Sequence, residues 1–219
     1  PSGTGSDRAA RPGFPGRGRR GGYATGRLAP LGPARRARTM TETETLFNGR
    51  WLRIRKRGTW EFAERTNPGG AVIVVATTDA DEVLFVEQYR VPIECLTIEM
   101  PAGLVGDLEG QAHEGVVETA QRELEEETGY RAGRIDFVMA GPSSAGMSNE
   151  QVAFVRARGL QRVGPGGRDE TEEIVVHHVP REGVAAWLAG RAAAGYSIDP
   201  KLYAGLYFLE RDARGVPWP

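Results

Sequence analysis

A mixed α+β sandwich is the fold class this sequence predicts, on three observations. Apolar β-rich runs follow one another from residue 46 onward, a single strongly periodic helix interrupts them, and helices close the chain. Strand–helix alternation is absent, which argues against a doubly wound parallel sheet, and no internal repeat is present. Leu46 to Arg65 reads as an antiparallel strand pair built on Trp51, Ile54, Trp60 and Phe62, ended by the turn Asn67-Pro68-Gly69-Gly70. Ala71–Thr77 and Glu82–Arg90 are β-rich runs separated by Thr78-Asp79-Ala80-Asp81, the pattern of a hairpin. Ile98-Glu99-Met100 runs extended into a loop at Pro101-Ala102-Gly103. Glu114–Thr128 is the clearest helix: Val117, Ala120 and Leu124 recur at spacings of three and four, and Gly129 supplies the stop. Strands are expected around Ile135–Ala140, Gln151–Ala157 and Ile174–Val179, with an exposed loop at Gly164-Pro165-Gly166-Gly167. Helices at 181–191 and 200–211 complete the set.

The 219 residues suit one domain with some extra length, and the composition, 40% apolar and 26% charged, is that of a globular protein. No purely apolar run is longer than the six residues of Ala71–Ala76, which is far too short to span a bilayer. One cysteine, Cys95, excludes an internal disulfide and a multi-cysteine zinc site. Three histidines, His113, His177 and His178, are too few for a histidine-rich metal site. Carboxylates are the abundant functional groups. The net charge of −1 hides a split: residues 1–39 hold nine arginines against Asp7 alone, and the remaining 180 residues carry 19 basic and 28 acidic side chains. Residues 1–39, rich in Gly, Pro and Arg, lack apolar periodicity and are expected to be a disordered extension to a domain over 40–219. Its string Gly16-Arg17-Gly18-Arg19-Arg20-Gly21 follows no strand and is not read as a dinucleotide fingerprint. A translated upstream region ending at Met40, a basic nucleic-acid arm and an organelle transit peptide all remain open for it. With no secretory signal and no span, a cytoplasmic location is expected. The acidic body speaks against nucleic acid as a partner.

The helix is the most informative stretch, and from its glutamates alone a solvated acidic face is the other reading. At 100° per residue, Glu123, Glu126 and Glu127 fall within one third of its circumference, and Glu123 and Glu127 are i,i+4 neighbours. Unpaired, such a pair costs roughly 0.2–0.5 kcal/mol. A divalent cation reverses the sign, because hard cations take several carboxylate oxygens. Arg122 can brace one of these acids. The spacing of Glu114, Arg122, Glu123, Leu124, Glu126, Glu127, Gly129 and Tyr130 resembles the signature of the Nudix hydrolases. One departure stands out: the pattern places a glycine at the position of Leu108. Its counterpart is Gly103, which implies about five inserted residues within Leu104–His113. The resemblance implies a Nudix-type α/β/α sandwich of mixed sheets around a central catalytic helix, with the strand pair at 46–66 preceding a catalytic core over 71–211.

Outside the helix, Val86–Arg90, Ile98–Gly103, Ser143–Glu150 and Asp169–Ile174 resemble the ADP-ribose and nucleoside-diphosphate-sugar pyrophosphatases of that family. The resemblance implies Mg²⁺, with Mn²⁺ as a substitute, held by Glu123, Glu127, the carbonyl of Ala102 and Glu172. Glu172, or Glu170 in its place, is implied as the base, with Glu126 and Arg122 in the catalytic set. It implies Arg90 on a diphosphate oxygen, with a surface salt bridge as its other reading, Glu99 near the substrate or anchoring the loop, Gly146 and Glu150 near the substrate, and Trp51 and Trp60 stacked on the base within a homodimer. Core packing or a plain dimer contact is the other reading of the tryptophans. Ala145 stands where ADP-ribose-specific members carry proline, so another nucleoside diphosphate sugar remains open. The implied activity is hydrolysis of the pyrophosphate bond in ADP-ribose or a related nucleoside diphosphate sugar. A non-catalytic nucleotide-sugar sensor and a Nudix hydrolase of other nucleotides are the alternatives.

Overall fold

The computed structural model describes residues 42–66, 69–107, 114–167 and 173–218. The extension at 1–39 therefore lies outside the described residues. Among them, no helix is long and apolar enough to cross a membrane.

Three sheets organise the described chain. The first is an antiparallel meander, β1 (Thr43–Asn48), β2 (Leu52–Arg57) and β3 (Trp60–Arg65), with pairs such as Glu44 opposite Lys56. The expected strand pair at 46–66 is thus a three-stranded sheet. The extra strand has no buried residue and is held by cross-strand pairing, a weaker sequence signal than an apolar face. The other two sheets are four-stranded and mixed. One has the order β7 (Ala102–Leu104), β4 (Ala71–Ala76), β9 (Gln151–Arg162), β8 (Tyr130–Pro142). The second has the order β10 (Val175–Pro180), β5 (Glu82–Arg90), β6 (Cys95–Glu99), β11 (Ser197–Ile198).

The expected β4–β5 hairpin does not form. Thr77 and Val83 make one isolated bridge, and the two strands then diverge into different sheets, β4 pairing parallel with β9 and β5 antiparallel with β6 and β10. Both strands are apolar on successive residues, the mark of a strand covered on both faces rather than of a one-sided hairpin. Alternation decides which core each side chain enters. Ile73, Val75, Val83 and Phe85 pack under α2 (Val184–Ala193) and α3 (Lys201–Glu210), while Val72, Val74 and Leu84 pack with α1 (Val116–Thr128). Phe85 stacks on Trp187 of α2 at 5.4 Å, and Phe154 meets Phe208 of α3 edge-on at 5.3 Å.

The stripe of α1 that enters the core is Val116, Ala120 and Leu124. Val117, assigned to it from spacing, is half-buried on the side facing Ala132 and Ile135 of β8. Burial of a side chain such as Leu124 contributes about 1.5–3 kcal/mol, which offsets the cost of placing acids on the same helix. Gly129 ends α1 in the left-handed region at φ 75°, its N–H donating to the Glu125 carbonyl. Strands β8 and β9 extend well beyond the expected 135–140 and 151–157. The two-residue β11, parallel to β6, has no periodicity from which it could be foreseen.

Candidate active site

Each acid on α1 has a different environment because the helix has one face in the core and one in solvent. Glu123 and Glu127 are buried, and the side chain of Glu126 is 53% exposed. Glu126 is therefore separated from the pair with which helical geometry groups it. Burial pushes the Glu123 carboxyl up to about 7 against the opposing pull of Arg122. Burial, then the neighbouring Glu123 charge, raises Glu127 well above the usual carboxylate range, although the Ala102 N–H donates to its Oε2 at 3.0 Å. Arg122 ties the helix to its surroundings. Its Nε donates to Glu114 at 3.2 Å, and its Nη1 lies 2.9 Å from Glu123 and donates to Glu126 at 3.0 Å, while Nη2 donates to Asp107 at 3.1 Å. Burial works against the Arg122 charge, but Glu114, Glu123 and Glu126 raise its pKa.

The segment Pro101–Leu104 brings backbone against this pair. It is held to β4 by the Val74 N–H donating to the Pro101 carbonyl at 2.8 Å and by the Val72–Gly103 register. A Cβ on Gly103 would stand 1.9 Å from the Glu123 carboxyl carbon and oxygen. Glycine is required here by close approach, since no side chain fits between strand and carboxylate. The Gly164–Gly167 loop has a function the sequence did not reveal. The Gly167 N–H donates to the Glu127 carbonyl at 2.7 Å, and the Ile174 N–H donates to the Gly167 carbonyl at 3.2 Å, so Gly167 and Ile174, which flank the acidic segment, are joined to each other and, through Gly167, to the end of α1. Glu170 and Glu172, expected in that loop, lie outside the described residues.

Glu123, Glu127 and Ala102 line a cleft of about 490 Å³ together with Arg90, Glu99 and Glu150. Arg90 donates to Glu99 through Nε at 2.7 Å and Nη2 at 2.8 Å, a bidentate pair at the cleft wall. Glu150 is bonded by Arg65. Burial raises the Glu150 carboxyl, but the Arg65 bond and charge and the Lys201 charge bring it below its usual range. Trp51 and Trp60 are not among the lining residues: they are 67% and 60% exposed on the first sheet, Trp51 under the Arg50 guanidinium. Gly146 sits in an exposed turn and likewise does not line the cleft. Sequence reading missed Arg65, Gln88, Asp107, Ser143, Asp199 and Lys201, all of which line it. Gln88 and Ser143 fall in segments that resemble the pyrophosphatases, Val86–Arg90 and Ser143–Glu150, whereas Arg65, Asp107, Asp199 and Lys201 carry no local signal.

Six carboxylates (Glu99, Asp107, Glu123, Glu127, Glu150 and Asp199) and three cations (Arg65, Arg90 and Lys201) are among the cleft's lining residues. Among the described residues no three His, Cys, Asp or Glu side chains already form a metal cage. The donor chemistry fits a hard divalent cation nonetheless, because two buried carboxylates of raised pKa face a backbone segment with oxygen ligands to offer.

The NUDIX domain profile matches residues 67–194. The chain is 33% identical over 140 residues to the methanol dehydrogenase activator of Bacillus methanolicus, covering 61% of this chain and 73% of that protein. It is 30% identical over 151 residues to an ADP-ribose pyrophosphatase of Mycobacterium tuberculosis, covering 68% and 69%. It is 41% identical over 91 residues to an ADP-ribose pyrophosphatase of Bacillus subtilis, covering 42% of this chain and less than half, 46%, of the relative. In fold it resembles a crystal structure of an ADP compounds hydrolase, with a TM-score of 0.61 and 23% identity over 78% of this chain and 91% of that one.

Proposed function

Because this chain belongs to the NUDIX family, we propose that it hydrolyses the pyrophosphate bond of ADP-ribose or a related nucleoside diphosphate sugar, giving a nucleoside monophosphate and a sugar phosphate. The observation that carries this reading is the pair of buried carboxylates, Glu123 and Glu127, inside an acidic cleft. Alone, such a cleft repels an anionic diphosphate. With a divalent cation it accepts one. Two relatives named as ADP-ribose pyrophosphatases support the substrate class.

In this reading Glu123, Glu127 and the Ala102 carbonyl hold the metal, Mg²⁺ in the first place with Mn²⁺ as substitute, and Glu172 joins them. The cation, when bound, neutralises phosphate oxygens and acidifies water. Arg90, swinging from Glu99, donates to a diphosphate oxygen, and Arg122 locks the helix acids in their rotamers. Glu172, or Glu170, takes the proton from the attacking water, and the anchoring of its loop at Glu127 supports that assignment. The large exposed apolar side chains of the first sheet support a homodimer in which Trp51 and Trp60 present flat surfaces to the base.

The test is initial-rate hydrolysis of ADP-ribose, GDP-mannose, ADP-glucose, NADH and diadenosine polyphosphates with Mg²⁺, with Mn²⁺ and with EDTA. Release of AMP from ADP-ribose, abolished by EDTA, is expected. Turnover that survives EDTA, or binding without monophosphate release, refutes the assignment.

A further inference from the structure

The start of α3 contributes two charged residues to the cleft that the proposed hydrolysis does not use. Asp199 is nearly enclosed, its side chain 14% exposed, and Lys201 reaches outward at 43%. Several contacts fix the acid. Its N–H donates to the Ile98 carbonyl at 3.1 Å, at the end of β6 beside Glu99, its carbonyl accepts from the Leu202 N–H at 3.0 Å, and its Oδ1 accepts from the Lys201 N–H at 2.9 Å, while the Lys201 ammonium donates to Oδ1 at 2.9 Å and lies 2.6 Å from Oδ2. Leu202, 1% exposed, anchors the turn from below.

Helix physics accounts for only half of this arrangement. Asp199, just ahead of α3, accepts the Lys201 N–H through one oxygen, the local turn that an aspartate makes two residues before a backbone donor. Lys201 is in the wrong place for the helix, because a cation in the first turn opposes the macrodipole. It also stands within electrostatic reach of Glu150, which Arg65 already engages. Its ammonium is paired with both Asp199 oxygens, and the two together present a carboxylate and an ammonium side by side in the cleft wall.

The identity of the pair says which part of a ligand. A diphosphate offers acceptors only, and Asp199 would repel it. A sugar bearing neighbouring hydroxyls offers donors and acceptors side by side, which a fixed carboxylate next to an ammonium matches: Asp199 accepts from one hydroxyl and Lys201 donates to the next. Resting on the proposed pyrophosphate hydrolysis, we infer that Asp199 and Lys201 recognise hydroxyl groups of the sugar carried on the distal phosphate. They would then set the preference of the cleft for nucleoside diphosphate sugars over nucleoside diphosphates with a plain substituent.

The full chain, with Asp199→Asn and Lys201→Met variants, is compared on ADP-ribose and on the methyl ester of ADP, which has the same diphosphate and no second sugar. Asparagine retains an acceptor for the Lys201 N–H, methionine retains an unbranched apolar stem of similar reach, and thermal melting checks that both variants fold. Both kcat/KM and calorimetric Kd are measured. Each variant is expected to lower the ADP-ribose to methyl-ADP ratio by about tenfold or more. An unchanged ratio, or equal losses on both compounds, overturns the inference, as does failure of the wild type to bind either compound. A protein that binds the two with a ratio set by these residues yet cleaves neither refutes the hydrolase reading alone, and cleavage of both with unaltered ratios in the variants refutes this one alone.

Discussion

Glu123 and Glu127 are expensive residues for a metal-free fold. They sit one turn apart on a buried helix face, and burial raises both carboxyls, joined at Glu127 by the Glu123 charge and at Glu123 by the charges of Asp107 and Glu126. A divalent cation reverses that cost. Saturating Mg²⁺ is therefore expected to raise the wild-type melting midpoint by ~5–10 °C, the shift for a ligand at about a hundred times its dissociation constant in a chain of this length. Glu127→Gln should abolish that shift and lower turnover by roughly 100-fold or more, about 2.7 kcal/mol of barrier. Equal Mg²⁺ shifts in both proteins would refute the assignment. Gly103 is the companion test. Gly103→Ala drives a methyl into the Glu123 carboxylate and is expected to cost about 1–3 kcal/mol in urea unfolding and to displace that carboxylate from the site. Gly190→Ala, in α2 with no atom within 4 Å of the new Cβ, should instead stabilise by about 0.5–1 kcal/mol.

Among elements, the first sheet depends on a few polar contacts. Its last strand, β3, is joined to the 143–150 segment by the Ala63 N–H donating to Met147 at 2.8 Å, by the Asn149 amide donating to Glu64 at 2.9 Å and by the Arg65–Glu150 pair. Although burial raises Glu150, the Arg65 bond leads the opposing effects, and the folded pKa falls below 4.5. A carboxylate with a depressed folded pKa contributes stability above its unfolded value, and that contribution fades as pH falls through the folded one. The midpoint difference between wild type and Glu150→Gln should accordingly be full at pH 7 and shrink below pH 4.5. Hydrogen exchange over residues 43–65 should quicken in the variant at pH 7 while α1 keeps its protection. A difference that grows on acidification would show that Arg65 is not the controlling partner.

At the scale of the whole molecule, Phe47, Trp51, Leu52 and Trp60 leave the first sheet with large apolar side chains in solvent, and none of its residues is buried. A sheet needs a covered face, and a second copy of the chain is the cover we propose. Light scattering should report a particle of twice 23.8 kDa. Trp51→Ser combined with Trp60→Ser should shift that particle toward the single chain. A wild-type protein that stays at one chain mass at 50 µM would remove the homodimer.

The helix with Glu123, Glu126, Glu127 and Arg122 on it, and Gly129 as its stop, could be read from the string, because a helix places residues three and four apart on fixed sides, but that register did not tell that Glu126 stays exposed while Glu123 and Glu127 are buried. The α+β class followed as well, since runs of β-rich residues around one periodic helix admit few layered solutions. Other features depended on contacts between residues distant in the chain. The apolar run of β4 reads the same whether its neighbour is β5 or β9, so only packing could send the two strands into separate sheets. Arg65, Asp199 and Lys201 carry no local pattern that marks a cleft, and they reach it because β3 and the start of α3 are docked there by hydrogen bonds to residues 143–150 and to Ile98. Periodicity is a property of neighbours along the chain, and it determined the helix and its charges. The shape and lining of the cleft arise from long-range pairing, which the tertiary structure alone decided.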